Sequence, residues 1–235
     1  MSASYFISDL HLDPARPDIS RAFYHFLATL SSRDTLYILG DLFESWVGDD
    51  DDSELAGACS AALSRFTGTG AACYLMHGNR DFLIGQAFCA RSGVQLLPDP
   101  SVVDLHGTRT LLLHGDSLCT ADTAYQAFRH KVRSPAWRAE IGEKSLPERR
   151  ELALQLRELS HEAKSNKAQD IVDVSPEAVA EAMRQHRVRH LIHGHTHRPG
   201  RHTLAEGQRW VLGDWESGGV GLKVTSEEWS LFNIL

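Results

Sequence analysis

The sequence predicts an α/β fold built on a largely parallel sheet, and three features predict it. Short apolar runs recur along the chain, each ending in polar or glycine-containing residues. Helix-patterned stretches separate the first three runs, as in βαβ units. Beyond residue 200 the pattern changes to short strands joined by turns, which suits antiparallel hairpins closing the fold. A chain of 235 residues suits one domain, or one domain carrying an insertion, and the reading here is a single domain over 1–235.

Taken in order, Tyr5-Phe6-Ile7 precedes Ser8-Asp9 and reads as the first buried strand. Residues 20–31 place Ala22, Phe23, Phe26, Leu27 and Leu30 at helical spacing. Leu36-Tyr37-Ile38-Leu39 runs into Gly40-Asp41, and residues 53–66 repeat the helical pattern with Leu55, Ala58, Cys59, Ala62, Leu63 and Phe66. Cys73-Tyr74-Leu75-Met76 leads to His77-Gly78-Asn79, and Leu111-Leu112-Leu113 leads to His114. Residues 121–166 hold no strand-like run. They read as two or three helices broken at Ser134-Pro135 and Leu146-Pro147, basic in the first half and carrying Tyr125, Phe128, Val132, Trp137 and Ile141. A helical insertion of this kind, taken as 121–167, is expected to form a lid. Leu191-Ile192 then precedes His193-Gly194-His195, and Trp210-Val211-Leu212 and Gly221-Leu222-Lys223-Val224 supply the closing strands.

Composition excludes several function classes. A net charge of −7 argues against a general nucleic-acid binder. No run of 18 or more apolar residues is present, and the first residues lack the basic and apolar regions of a signal peptide. The four cysteines form no CxxC pair and read as reduced packing residues of a cytosolic protein. Asp49 to Asp52 lack the spacing of a calcium loop and read as a solvated loop or a helix start before Ser53.

The 13 histidines are informative by position. Each strand-like run ends in Asp, His or Asn: Asp9-x-His11, Gly40-Asp41, Gly78-Asn79, His114 and His195-x-His197. Loops at the carboxyl ends of strands in open α/β sheets converge on one crevice, so these residues are expected to meet. Any one motif has an ordinary explanation: a capping Asp beside a surface His, a pair on a strand face, a turn. Together they form an oxygen and nitrogen ligand set without thiolates, suited to Mn²⁺, Fe²⁺ or Zn²⁺ rather than Ca²⁺, and too large for one tetrahedral ion. Shared between two ions it suits a clamp on a phosphoryl group. His77 and His193 sit beside these residues and could orient them or simply pack.

The order DxH, GD, GNxD, H, GHxH resembles the calcineurin-like metallophosphoesterases. That resemblance implies a four-layer α/β/β/α sandwich with two metal ions. One would be held by Asp9, His11, Asp41 and His197, the other by Asp41, Asn79, His114 and His195. Most members carry His after the Asn, where this chain has Arg80, which cannot donate a proton at neutral pH but can bind phosphate oxygens bidentately. The block Gly78-Asn79-Arg80-Asp81-Phe82, with residues 40–52 and 193–199, is similar to the UDP-2,3-diacylglucosamine hydrolases of lipid A biosynthesis. That similarity implies manganese ions and a UDP-diacylglucosamine lipid substrate split at its pyrophosphate. It also implies peripheral contact with the cytoplasmic face of an inner membrane. Catalytic roles would fall to Asp41, Asn79, Arg80, His114 and His195. Substrate contacts would come from Asn79, Arg80, His195, Asp122, Ser160, Lys164 and Lys167. Another dinuclear phosphoesterase, such as a nucleotide pyrophosphatase or phosphodiesterase, and a non-catalytic binding scaffold on the same fold remain the competing readings.

Overall fold

The computed structural model describes residues 2–165 and 173–234, with the backbone alone over 159–165. The first half runs β1 (Ser4–Ile7), α1 (Pro17–Thr29), β2 (Thr35–Leu39), α2 (Glu54–Thr67), β3 (Ala72–Met76), α3 (Gln86–Ser92) and β4 (Gln95–Leu97). A hairpin follows, β5 (Ser101–Leu105) and β6 (Thr108–Leu112), then a single 3₁₀ turn at Asp116–Leu118. Three consecutive helices come next: α4 (Thr123–Val132), α5 (Pro135–Gly142) and α6 (Leu146–Ser165). The chain closes with α7 (Pro176–His186), β7 (His190–His193), β8 (Gly200–Thr203), β9 (Gln208–Val211), β10 (Val220–Val224) and β11 (Trp229–Asn233).

The strands form two mixed sheets rather than one largely parallel sheet. The first has the order β11-β10-β1-β2-β3-β4, with β1 to β4 parallel and the β10–β11 hairpin antiparallel. The second has the order β5-β6-β7-β9-β8, parallel across β6-β7-β9 and antiparallel at both edges. Apolar patterning alone conceals this division, because an apolar run buried on both faces looks the same in either sheet, whereas the family resemblance implied the two-sheet sandwich that is observed. β4 and β5 escape the pattern because one is three residues long and the other is mostly half-exposed.

Period-two alternation builds the layers. Ile7, Leu36, Ile38, Cys73 and Leu75 face one way and pack with Phe23, Leu63 and Phe88 of α1, α2 and α3. Their neighbours Phe6, Tyr37, Leu39 and Met76 face the other way and meet Leu112, Ile192 and Trp210 of the second sheet. Leu111 and Leu191 point out of that sheet onto Val179 and Met183 of α7. The result is helices, sheet, sheet, helix.

Helix starts follow capping chemistry. Ser53, Asp122, Ser134 and Ser175 each accept a hydrogen bond from the backbone N–H three residues on. Pro17, Pro135 and Pro176 occupy first-turn positions. The breaks read at Pro135 and Pro147 are thus the first turns of new helices, α5 and α6.

The in-register parallel pairing Ile7↔Ile38 and Ile38↔Leu75 brings the loops after β1, β2 and β3 together. Leu112↔Ile192 does the same for the loops after β6 and β7. Phe6 is fully buried between the sheets and stacks on Tyr37 at 4.7 Å between ring centroids. Phe6→Ala should therefore cost about 3–5 kcal/mol in urea unfolding at an unchanged m-value; a loss below about 1 kcal/mol would contradict the two-sheet core.

Candidate metal centre

The loops that leave the strand ends are locked to each other through the backbone. Asp9 N–H donates to Gly40 O at 3.1 Å, His11 N–H to Asp41 O at 3.0 Å, and Gly194 N–H to His114 O at 2.8 Å. Within these loops Asp9, His11, Asp41, His195 and His197 all take left-handed backbone conformations, with φ between 49° and 67°. Few non-glycine residues do so, and such conformations persist only where the surroundings impose them. Five of the seven ligand candidates adopt it, so the strain marks the site. Gly78 is required by proximity, since a Cβ there would lie 2.0 Å from Asp41 Oδ1.

Asp9 and Asp41 form the buried centre of the cluster. Asp9 Oδ2 accepts from Ser8 Oγ at 2.6 Å and from His195 N–H at 2.8 Å. Asp41 Oδ1 accepts from Arg80 N–H at 2.8 Å. Imidazoles surround the remaining carboxylate oxygens. His197 Nε2 lies 3.4 Å from Asp9 Oδ1, and Asp41 Oδ2 lies 3.7 Å from His114 Nε2 and 3.9 Å from His11 Nε2. Asn79 Oδ1 meets His114 Nε2 at 3.0 Å. Candidate ligand atoms of Asp9, His11 and His197 lie within 4.8 Å of one another, as do those of Asp9, Asp41 and His114.

Each of three histidines is held by its other nitrogen. His114 Nδ1 sits 2.8 Å from Leu39 O, His11 Nδ1 3.0 Å from Glu44, and His197 Nδ1 3.4 Å from Asp214. That fixes the rings and leaves Nε2 of each turned toward the carboxylates, the arrangement metal-binding histidines take. Asp81, fully buried, accepts from Gly78 N–H and Leu42 N–H, both at 2.8 Å, and so ties the Asn79 loop to the Asp41 loop.

Electrostatics reflect the crowding. Burial raises the Asp9 carboxyl, but His197, His114 and His11 outweigh it and hold it well below the usual carboxylate range. Burial, together with Asp81 and Asp9, pushes Asp41 upward despite the histidines. Burial alone would lower His114, yet Asp41, Asp9 and Asp116 bring it up to about 9. Asp9 Oδ1 is buried without a hydrogen-bond partner. An orphaned carboxylate oxygen facing imidazole nitrogens, with an amide oxygen alongside and no thiolate, fits divalent ions of the manganese, iron or zinc kind.

The other sequence-derived candidates border a cavity of about 400 Å³ beside the cluster. Asn79, Arg80, Asp122 and His195 line it, and the His195 ring lies between His114 (5.0 Å between centroids) and Tyr125 (6.1 Å). The far walls are apolar, with Phe128, Trp137, Ile141, Leu152 and Leu156 from α4, α5 and α6. Ser160 and Lys164 fall on α6 where side chains lie outside the described residues, as does Lys167 altogether. His193 is buried, and burial lowers it to about 4. His77 Nε2 lies 2.7 Å from Ile84 O and braces the loop after β3.

Sequence reasoning missed Glu44, Asp116 and Asp214. Asp116 accepts from Tyr125 Oη at 2.6 Å and Arg129 Nε at 2.8 Å, anchoring α4 beside His114. Glu44 and Asp116 each follow a flagged motif by two or three residues, the one available signal. The Asp49–Asp52 loop is bonded rather than merely solvated: Asp49 accepts from Gly85 and Phe88 N–H, and Asp50, Asp51 and Asp52 pair with Arg149 and Arg150 of α6.

The raised His114 sets a pH expectation. A ligating imidazole must be neutral, so below about pH 9 metal must displace its proton. Manganese affinity should rise between about pH 6 and pH 9, and calorimetry at pH 7 in buffers of different ionisation enthalpy should show proton release. Affinity independent of pH across that range would contradict the assignment.

Comparison with known proteins agrees with this geometry. The family model for calcineurin-like phosphoesterases matches residues 4–199. The UDP-2,3-diacylglucosamine hydrolase of Pseudomonas paraeruginosa (strain DSM 24068 / PA7) is 52% identical over 224 residues, covering 93% of each chain. The UDP-2,3-diacylglucosamine hydrolase of Escherichia coli O157:H7 (strain EC4115 / EHEC) is 46% identical over 236 residues, covering 98% of each. Among solved structures, an archaeal phosphodiesterase shares the fold with a TM-score of 0.50 at 12% identity, covering 98% of this chain and 99% of that one. With its strand-end ligand cluster and this breadth of match, the chain belongs to the calcineurin-like phosphoesterase family.

Proposed function

We propose that this chain hydrolyses the pyrophosphate bond of UDP-2,3-diacylglucosamine in lipid A biosynthesis, giving UMP and 2,3-diacylglucosamine 1-phosphate. The observation that carries this reading is the cavity beside the Asp and His cluster, which joins Asn79, Arg80 and His195 to an apolar wall. A diphosphate with two acyl chains needs that combination. The near-full-length identity to hydrolases of that name supports it.

Asp9, His11, Asp41 and His197 would hold one ion, and Asp41, Asn79, His114 and His195 the other, with manganese the expected metal. When bound, the ions supply Lewis-acid charge at the phosphoryl group and a place where water ionises near neutral pH. The chain's residues do the rest. Arg80, on the cavity wall, binds phosphoryl oxygens as charge develops on them. Asn79 and His195 border the reacting phosphate, and Asp122 with Ser160, Lys164 and Lys167 would contact the sugar lipid. Oxygen from water bonds to the α-phosphorus as the bond from that phosphorus to the bridging oxygen breaks. The departing phosphate monoester has a second pKa of about 6, so it leaves without a proton and Arg80 can stand where relatives place a histidine acid.

The α4–α6 segment, residues 121–167, acts in this reading as a lid whose apolar side chains receive the acyl chains. No described helix is long and apolar enough to cross a membrane. Phe128 and Leu154, the exposed large apolar side chains among the described residues, both lie on the lid, where they suit peripheral contact with a cytoplasmic membrane face.

Purified protein with manganese should release UMP from UDP-2,3-diacylglucosamine. Arg80→Ala should cut turnover about 10²-fold or more while manganese content, measured at saturating manganese, stays at the wild-type level. UMP release from the substrate at background rates would refute the activity, and an active Arg80→Ala enzyme would refute the role of Arg80.

A further inference from the structure

Glu44 belongs to none of the ligand motifs, yet its carboxylate meets cationic groups from three parts of the fold. Oε2 lies 3.0 Å from His11 Nδ1 in the loop after β1. Oε1 lies 3.3 Å from Arg80 Nη1 in the loop after β3 and 2.9 Å from Arg157 Nε on α6. The Glu44 side chain is only 14% exposed, so solvent screens these contacts less than on an open surface.

The same face of α6 is fastened one stretch earlier. Arg149 pairs with Asp50 and donates to Val47 O at 2.7 Å, and Arg150 pairs with Asp51 at 2.6 Å and Asp52 at 2.5 Å. Arg157 follows Arg150 by seven residues and Arg149 by eight, about two helical turns, and so returns to the side of α6 that they occupy. Gly48 is the residue that permits this seating: its φ is +141°, and a Cβ would lie 2.2 Å from Arg149 Nη1. Arg157 also reaches Asp13 at 3.3 Å, beyond His11 in the β1 loop. The 44–52 loop is therefore the rail on which α6 sits, and Glu44 is its inner end.

We propose that Glu44 is a positioning residue that couples the seating of α6 to the metal centre, because the carboxylate that steadies His11 is the one that receives Arg157. This rests on the metal-centre reading given above. When α6 is seated, Glu44 is pinned from both sides and His11 keeps Nε2 turned toward Asp41. When Arg157 is absent, Glu44 loses one of its counter-ions and the ion-pair contact that steadies His11 loosens. Linkage makes the coupling reciprocal, so metal uptake must steady α6 to the degree that α6 favours metal uptake.

Arg157 suits the test. Its side chain is 45% exposed, so its replacement leaves the core intact, and the Arg157 contacts described above include none of the proposed metal ligands. Manganese affinity would be measured calorimetrically on the full chain for wild type, Arg157→Ala, Arg157→Lys and Glu44→Gln, with metal-free melting curves alongside. The expected result is manganese binding weakened about three- to fivefold in Arg157→Ala, the range of one partly buried ion pair, with partial recovery in Arg157→Lys. The loss in an Arg157→Ala/Glu44→Gln double variant should be no larger than in Glu44→Gln alone. Manganese should also slow amide exchange along α6 in wild type and less so in Arg157→Ala. Equal manganese affinity in wild type and Arg157→Ala, at matched melting temperatures, would overturn the proposal. Wild-type protein that takes up no manganese would instead overturn the metal-centre reading beneath it.

Discussion

Two carboxylates buried side by side are the constraint on which the rest of the structure depends. Asp9 and Asp41 are 0% and 2% exposed, from loops 32 residues apart in the chain. Burying one uncompensated carboxylate costs several kcal/mol, and two like charges cost more. The fold meets that cost with His11, His114 and His197 and with the backbone N–H groups of Arg80 and His195, and it accepts the further strain of left-handed backbone at five of the participating residues to place them. Such a cluster is poor at stabilising a protein and good at receiving cations. The parallel registers of β1-β2-β3 and β6-β7 are what deliver its members to one place.

Around this centre the molecule divides its labour. The two sheets and outer helices hold the strand-end loops still. The α4–α6 segment supplies apolar walls and is attached by polar links: Asp116 to Tyr125 and Arg129 at one end, and the Asp50–Asp52 loop to Arg149 and Arg150 at the other. These polar anchors leave apolar side chains of the three helices, among them Phe128, Trp137 and Leu156, to line a cavity.

Legibility in the sequence followed chemical necessity. Asp9, His11, Asp41, Asn79, His114, His195 and His197 were readable because each follows an apolar run, and strand-end position is visible in one dimension. The first three strands were readable because burial on both faces leaves unbroken apolar runs, and the two helices between them because their apolar residues recur at helical spacing. The split into two sheets was readable only through the family resemblance, which implied the α/β/β/α sandwich observed; apolar patterning did not show it, because pairing partners such as Leu111 and Leu191 are 80 residues apart and carry no local mark. Glu44, Asp116 and Asp214 were missed because each acts on a histidine or a helix through space, and a carboxylate in a loop has no period to betray it. The proline breaks at 135 and 147 were located correctly and prove to be helix starts, as the fixed φ of proline allows.

In the proposed centre, Asp41 is the carboxylate shared between two ions. Metal analysis of purified wild-type and Asp41→Ala protein, with UMP release measured on the same samples, tests it directly. About two manganese ions per chain in wild type, with metal content and turnover lost together in Asp41→Ala, is the predicted result. Retained turnover in Asp41→Ala, or wild-type activity without bound metal, would contradict it.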